Sequence, residues 1–446
     1  MEDYDLIVIG AGSGLDVASA YNARGDKVAL IEPGPLGGTC LNRGCIPSKM
    51  LIHRAELLSD IRESEKFGIE ASVEGISFQQ IVEEVNKTVE SDAEAIESGV
   101  ENAEDYDLYR SEASFVEDKV VEVDGQQLKA DKIVVAAGTR PFIPPVEGID
   151  QVEYLTSKDA LQLEEKPDSM VIVGGGYIAA EMAFFFHEMG VEITVVERGD
   201  ALLKRTDKDI SEKFTEIAEE RYNVVLGASA KEIRQEDRKI VELDNGDIIE
   251  TDQILMATGR RPNTDKLDLE ENTSVELDER GFIKANEYLE TSVKDVYALG
   301  DIAGNFMFKH SANLEAEYVY KNLLGMEVEA DYTAMPHAVF TYPQIAGVGK
   351  TEQDLEKEGI EYSKSVYQYE NTGMGMALKE EDGFVKVLAS KDGEILGVHI
   401  IGHEASTLVH EVLPVMRNNG TVEDIKKTIH IHPALNEVVG RAFDQL

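Results

Sequence analysis

Two cysteines, Cys40 and Cys45, are the whole cysteine content of a 446-residue chain. They lie in Gly37-Gly38-Thr39-Cys40-Leu41-Asn42-Arg43-Gly44-Cys45-Ile46-Pro47-Ser48-Lys49. Cysteines this sparse and this close point to redox or metal chemistry. A structural zinc would need about four ligands, and the chain has no second cysteine pair. Two cysteines are no secreted disulfide framework, and a structural disulfide is out of place in a reduced cytoplasm. What remains is a catalytic dithiol. On an ideal helix, Cα atoms five positions apart lie roughly 8–9 Å from each other, whereas a disulfide needs less than about 7 Å. The segment must therefore leave helical geometry, and Gly44 and Pro47 are the residues suited to distort it. Lys49 and a local helix N-terminus would favour a thiolate.

A dithiol needs an electron source, and two glycine turns suggest one. The first is Gly10-Ala11-Gly12-Ser13-Gly14-Leu15, after an apolar run at 4–9 and before a helical stretch to about Arg24. Glycines there permit a tight turn and close backbone approach to a pyrophosphate, which then sits on a helix N-terminus. The third glycine of the usual fingerprint belongs at position 15, where Leu15 stands, with Gly14 just before it. Glu32, 22 residues after Gly10, ends the next strand and can accept hydrogen bonds from a ribose. The second turn, Gly174-Gly175-Gly176-Tyr177-Ile178-Ala179, fits the fingerprint throughout, and Glu197 follows 23 residues after Gly174. One chain with two such units suggests a flavin nucleotide plus a pyridine nucleotide. At the second site the residues disagree about the cofactor. Glu197 suits a free 2′-hydroxyl, whereas Arg198 and Lys204 could pair with a 2′-phosphate. The balance is read as NADPH, with NADH as the alternative.

The remaining elements frame these sites. Helices are expected at about 49–66, 77–103, 404–418 and 435–444, and strands at 132–137 (closed by Gly138), 383–390 and 394–401. Asp124-Gly125 reads as a hairpin turn. Pro141, Pro144 and Pro145 mark a stiff crossing before the second nucleotide unit. The expected fold is α/β: two doubly wound Rossmann-like dinucleotide-binding domains plus a C-terminal α+β domain.

Charge excludes some partners. With 43 Lys+Arg against 87 Asp+Glu, the formal net charge is −44, which argues against nucleic acid and anionic membrane surfaces. The acidity is spread along the chain. Such a surface repels itself in dilute salt, but at about 1 M the Debye length falls to about 3 Å, so the charge reads as adaptation to a salt-rich cytoplasm. Met1-Glu2-Asp3-Tyr4-Asp5 offers no basic, apolar leader, and no stretch reads as a membrane span. A departing thiolate needs a proton, for which imidazole is suited. By residue type alone, a histidine beside a proline turn, such as His432 before Pro433, is more often structural.

The dithiol segment with two nucleotide turns resembles the flavoprotein disulfide reductases, over essentially the whole chain. The resemblance implies FAD at the first site and the nicotinamide cofactor at the second, with an FAD-binding domain over 1–145 that returns at 270–330, an NAD(P)-binding domain over 146–269 and a dimerisation domain over 331–446. By the same resemblance Cys40 is the interchange thiol and Cys45 lies against the flavin. Asp301, in Ala298-Leu299-Gly300-Asp301, resembles the carboxylate on the flavin ribityl chain. Lys49 resembles the lysine beside the flavin ring, Glu181 its ion-pair partner, and Tyr177 the tyrosine over the nicotinamide pocket. His432-Pro433-Ala434-Leu435-Asn436-Glu437 resembles the family's H-P-x-x-x-E, which makes His432 the acid–base and Glu437 its orienting partner, given by the other subunit of a homodimer. Within the family, Phe308-Lys309-His310-Ser311-Ala312-Asn313 and Arg198-Gly199-Asp200 resemble mycothione reductases. With the acidic surface, this implies a low-molecular-weight disulfide substrate, bis-γ-glutamylcystine above others, in a halophile. The alternative, ranked second, is an NAD-dependent dihydrolipoamide dehydrogenase, favoured by Cys45-Ile46-Pro47-Ser48-Lys49, Glu197 and the His432–Glu437 stretch and opposed by Ser13-Gly14-Leu15-Asp16 at the first turn.

Overall fold

The computed structural model describes residues 1–446 and divides into two compact units. One comprises 1–50, 79–142 and 259–332, the other 51–78, 143–258 and 333–446.

The first unit is built on a parallel sheet in the order Tyr106–Tyr109, Val28–Ile31, Glu2–Ile9, Gln126–Val135, with Val296–Ala298 on the far side of Gln126–Val135. Leu6 to Ile9 and Val28 to Ile31 are buried throughout, as strands covered on both faces must be. Helix Gly14–Asn22 springs from the first strand, and helix Lys309–Leu323 packs beside it. The sheet continues through an antiparallel strand, Val120–Val123. Its hairpin turns at Asp124 (φ 52°) and Gly125 (φ 75°), the two left-handed residues of a type I′ turn.

The second unit repeats the opening pattern. Strand Ser169–Val173, helix Tyr177–Glu188 and strand Glu192–Glu197 lead into a parallel sheet with Asn223–Leu226 and Gln253–Met256 at its edges. A five-stranded antiparallel sheet follows, in the order Pro336–Val339, Gln344–Gly349, Ile395–Gly402, Phe384–Ala389, Ser363–Gln368. Helix Glu437–Asp444 packs on it through Val438, Val439, Ala442 and Phe443. The helix expected over 404–418 is instead three short pieces, Ala405–Leu408, Val409–Glu411 and Leu413–Arg417. Pro414, which has no N–H to continue a ladder, sits in the first turn of the last piece.

One ion cluster inside this unit ties its elements together. Lys386 is wholly buried, with its ammonium 2.7 Å from Asp207, 2.7 Å from Asp209 and 2.5 Å from Glu352. Asp207, also wholly buried, caps helix Lys208–Arg221 and accepts from the Glu352 N–H at 2.9 Å. Burial opposes the charge on Glu352, but hydrogen bonds from Lys386, Tyr362 and Lys364 outweigh it and bring the carboxyl down to about 2. Lys386→Ala would strand Asp207 without its countercharge, so it should cost about 3–5 kcal/mol in a denaturant titration. Because Glu352 is depressed in the folded chain, its stabilisation is complete above the ordinary carboxyl value of 4.5 and fades as pH falls towards about 2. Lys386→Ala should flatten that acid limb.

Candidate functional site

The helical break that the cysteine spacing demands falls between the two thiols. Helix Gly38–Arg43 carries Cys40 and ends at Gly44 (φ −149°, ψ −116°); a new helix, Cys45–Glu63, begins at the second cysteine. A Cβ on Gly44 would lie 2.8 Å from the Thr39 carbonyl oxygen, so a side chain there would disturb the break. Pro47 falls in the first turn of the new helix, where a missing N–H costs nothing. Asn42 braces the loop from behind, donating to the carbonyls of Leu36 (2.9 Å) and Gly38 (3.0 Å).

The two thiols share a hydrogen bond, and that bond, with burial and the nearby second sulfur, pushes the Cys40 thiol well above the usual range. The opposing cation is Lys309, which stabilises negative charge on Cys40. Lys309 also donates to Ser13 Oγ at 2.8 Å, and Ser13 Oγ donates to Asn313 Oδ1 at 2.8 Å. Lys49, the cation expected in this role, lies one turn along the second helix with its ammonium 3.3 Å from Ser48 Oγ.

The two glycine turns are built alike. Gly10 (φ 103°) and Gly174 (φ 116°) lie so close to the next strand that a Cβ would sit 2.3 Å from the Ala136 oxygen or 2.4 Å from the Ala257 oxygen. Gly12 and Gly176 instead face open space, with nothing within 4 Å of an added Cβ, as a pyrophosphate cradle requires. The role left vacant by Leu15 is taken by Gly14, where a Cβ would meet Ala136 Cβ at 2.8 Å and Val8 at 3.0 Å. Close helix–strand packing thus survives the altered fingerprint. Glu32 accepts from the N–H groups of Ala11 and Gly34, both at 2.9 Å. Glu197 accepts from the Gly199 N–H at 2.7 Å, the same position relative to its strand end. The Lys204 stem runs past Gly199 beside Glu197, and its ammonium is 2.6 Å from Asp200; Arg198 is exposed.

Asp301 sits in the turn Gly300–Ile302, accepts from Thr139 Oγ1 at 2.7 Å and has Arg260 Nε 3.8 Å away. Gly138 (φ 65°) precedes Thr139. In the second unit, Tyr177 opens helix Tyr177–Glu188 and is 38% exposed. Glu181, one turn on, is buried and accepts from the Phe340 N–H at 3.0 Å. His432 Nδ1 lies 2.9 Å from Glu437 Oε1, while Glu437 Oε2 accepts from the Ala434 N–H at 3.2 Å. The carboxylate fixes the proton on Nδ1 and leaves Nε2 for chemistry. The imidazole is 78% exposed.

Residues 4–316 match the family model described as pyridine nucleotide-disulphide oxidoreductase, and residues 335–443 match its dimerisation domain. The chain belongs to this oxidoreductase family. It is 36% identical to a mycothione reductase of Mycobacterium tuberculosis, covering 99% of both chains. It is 35% identical to a dihydrolipoyl dehydrogenase of Chlamydia muridarum, covering 98% of this chain and 95% of the relative. Among solved structures, the Cu(II) complex of the HOCl-induced flavoprotein disulfide reductase RclA from Escherichia coli superimposes with a TM-score of 0.90 at 25% identity over the full length of both.

As a pyridine nucleotide-disulphide oxidoreductase, the chain is a mixed α/β, FAD-binding enzyme that uses NAD(P)H. The open cradle at Gly12 and the oriented Glu32 suit FAD. The oxidoreductase also has site residues that motif spacing could not reveal. Lys309 stands 269 positions after Cys40 in the chain, and only the fold brings its charge to the thiol. Glu315 is wholly buried and accepts from Gly300 N–H at 2.6 Å, Tyr332 at 2.7 Å and Asn305 at 3.1 Å, so it fixes the turn that presents Asp301. Nothing in the sequence separates Glu315 from other acidic residues of an amphipathic helix. No helix is long and apolar enough to cross a membrane.

Proposed function

We propose that this enzyme reduces the disulfide of a small anionic thiol, bis-γ-glutamylcystine first among candidates, with NADPH as donor. The observation that carries the disulfide chemistry is the hydrogen-bonded pair Cys40–Cys45 across the Gly44 break. FAD would be held by Gly10, Gly12, Gly14, Glu32, Gly138 and Asp301, with Lys49 beside its ring. The nicotinamide nucleotide would be held by Gly174, Gly176, Tyr177, Glu181, Glu197, Arg198 and Lys204. These sites fall in FAD-binding segments 1–145 and 270–330 and an NAD(P)-binding domain over 146–269; 331–446 forms the interface of a homodimer, for which the dimerisation model gives support. Bound FAD supplies two-electron transfer from the nicotinamide nucleotide to the dithiol.

The protein's own steps follow from its groups. Cys40 holds its proton tightly, so attack on a disulfide requires a base, and His432 Nε2 takes that proton. The Cys40 sulfur then bonds one substrate sulfur, and the substrate S–S bond breaks. The imidazolium, stabilised by Glu437, returns the proton to the departing thiolate. Cys45, as its thiolate, attacks Cys40, closes the protein disulfide and releases the second substrate thiolate, which takes its proton from solvent. Each turnover thus converts one disulfide, two reducing electrons and two protons into two thiols.

The full-length likeness to a mycothione reductase supports a small-thiol substrate. Arg198 and Lys204, on either side of Gly199, supply charge for a 2′-phosphate. The acid surface suits a salt-rich cytoplasm. A second reading has its own support: Glu197 is oriented like Glu32, a placement suited to a free ribose diol, and this favours NADH with dihydrolipoamide. Steady-state turnover in molar KCl separates them. The expected result is a kcat/KM for bis-γ-glutamylcystine with NADPH at least about tenfold above lipoamide with NADH, or about 1.4 kcal/mol. The reverse ratio would make the enzyme a dihydrolipoamide dehydrogenase.

A further inference from the structure

A second histidine–carboxylate pair includes His430, two residues before His432 in the chain. Along Ile429-His430-Ile431-His432 only His430 turns inward; Ile429 is 97% and Ile431 76% exposed. His430 Nε2 pairs with Glu411 Oε1, and both side chains are about five-sixths buried (15% and 16% exposed). Glu411 closes the turn Val409–Glu411, outside the loop that carries His432. Its carboxylate also accepts a hydrogen bond from the Asn436 side chain. One buried group therefore holds both ends of the segment 430–436, within which His432 lies, and Asn436 immediately precedes the helix that begins with Glu437. The other side of the His430 ring rests on that helix at Gly440, where a Cβ would come within 2.8 Å of the ring.

This arrangement answers a mechanical need. An imidazole 78% exposed has little packing to hold it, and Glu437 fixes its tautomer but not the loop it stands on. Misplacement of an acid–base group by about 1 Å can cost about a hundredfold in rate.

We propose that Glu411 and His430 are a positioning pair for His432, clamping the 430–436 segment so that Nε2 is presented to the reacting sulfurs. The proposal rests on the reading of His432 as acid–base, and its test separates the two. Turnover is measured with two substrates, an aliphatic disulfide whose leaving thiolate needs a proton and 5,5′-dithiobis(2-nitrobenzoate), whose aromatic thiolate leaves with little help. Removal of the Cys40 proton is needed with both substrates, but protonation of the leaving thiolate only with the first, so a misplaced His432 slows the first more than the second, whereas general loss of structure slows both equally. Glu411→Gln should lower kcat for the aliphatic disulfide about tenfold to a hundredfold, with KM little changed and a clearly smaller loss for the aromatic one. Gly440→Ala, which crowds the His430 ring without deleting a polar group, should show the same selectivity. His432→Gln is the reference. If it is selective and both positioning variants lose the two activities in parallel, or neither, the clamp is wrong and the acid–base reading stands. If His432→Gln is itself unselective, both fall.

Discussion

Cys45→Ser is expected to bind flavin, release one thiol per subunit from the first disulfide it meets, and stop. The reason lies in the division of labour across the Gly44 break. Cys40 can still attack, because its sulfur and the Lys309 charge that favours its thiolate are untouched. Losing the Cys45 sulfur also removes the main influence that holds the Cys40 proton, so the first attack should be no harder. The mixed disulfide then has no resolving thiol. Thiol–disulfide exchange needs a second thiolate aligned on the bridging sulfur, and serine cannot form that bond. Steady-state turnover should fall by at least about a thousandfold, as for loss of an essential nucleophile. A rapid release of one thiol per subunit should remain. Cys40→Ser should lose both turnover and burst. The measurements are thiol release followed over time and flavin absorbance after gel filtration. Full turnover in Cys45→Ser would remove the dithiol from the mechanism.

How far such chemistry can be read before the fold is known depends on sequence distance. The dithiol, both glycine turns and their acidic partners are local patterns, and physical constraints on a few neighbouring residues define them. The disulfide distance limit alone called for a break near Gly44, and the backbone turns there. Leu15 weakened the first fingerprint on paper because the pattern counts positions, whereas packing needs only a residue without Cβ against Val8 and Ala136; Gly14 supplies it. Long-range groups were not legible. Lys309 reaches Cys40, and Glu315 reaches the Asp301 turn, only because helix Lys309–Leu323 packs beside helix Gly14–Asn22. The Glu411–His430 pair joins residues 19 apart through a turn that the 404–418 pattern had suggested would be continuous helix. The cofactor preference is ambiguous for another reason: Glu197, Arg198 and Lys204 crowd one glycine, and opposite charges there recommend opposite ligands.

His432→Gln should reduce kcat for an aliphatic disulfide by about 10²–10⁴, the usual worth of a positioned general acid–base, with flavin reduction by the nicotinamide nucleotide preserved. Glutamine keeps a hydrogen bond to Glu437 but cannot cycle a proton, so the loss reports proton transfer and not loop collapse. Glu437→Gln should cost less, since it removes the charge that stabilises the imidazolium while leaving the imidazole in place. The hydrogen bond from His432 holds Glu437 below the usual carboxylate range, against a smaller opposing effect of burial. That charge is therefore present at neutral pH and is lost only as the solution becomes strongly acidic. The exposure of His432, at 78%, gives the decisive form of the experiment. If the partner subunit's site receives this imidazole, Cys45→Ser and His432→Gln chains, each nearly inactive alone, should recover activity when mixed under conditions that exchange subunits. Each mixed dimer would then contain one site with an intact dithiol and an intact histidine. If the histidine serves its own chain, every site in the mixture keeps one defect and no activity returns.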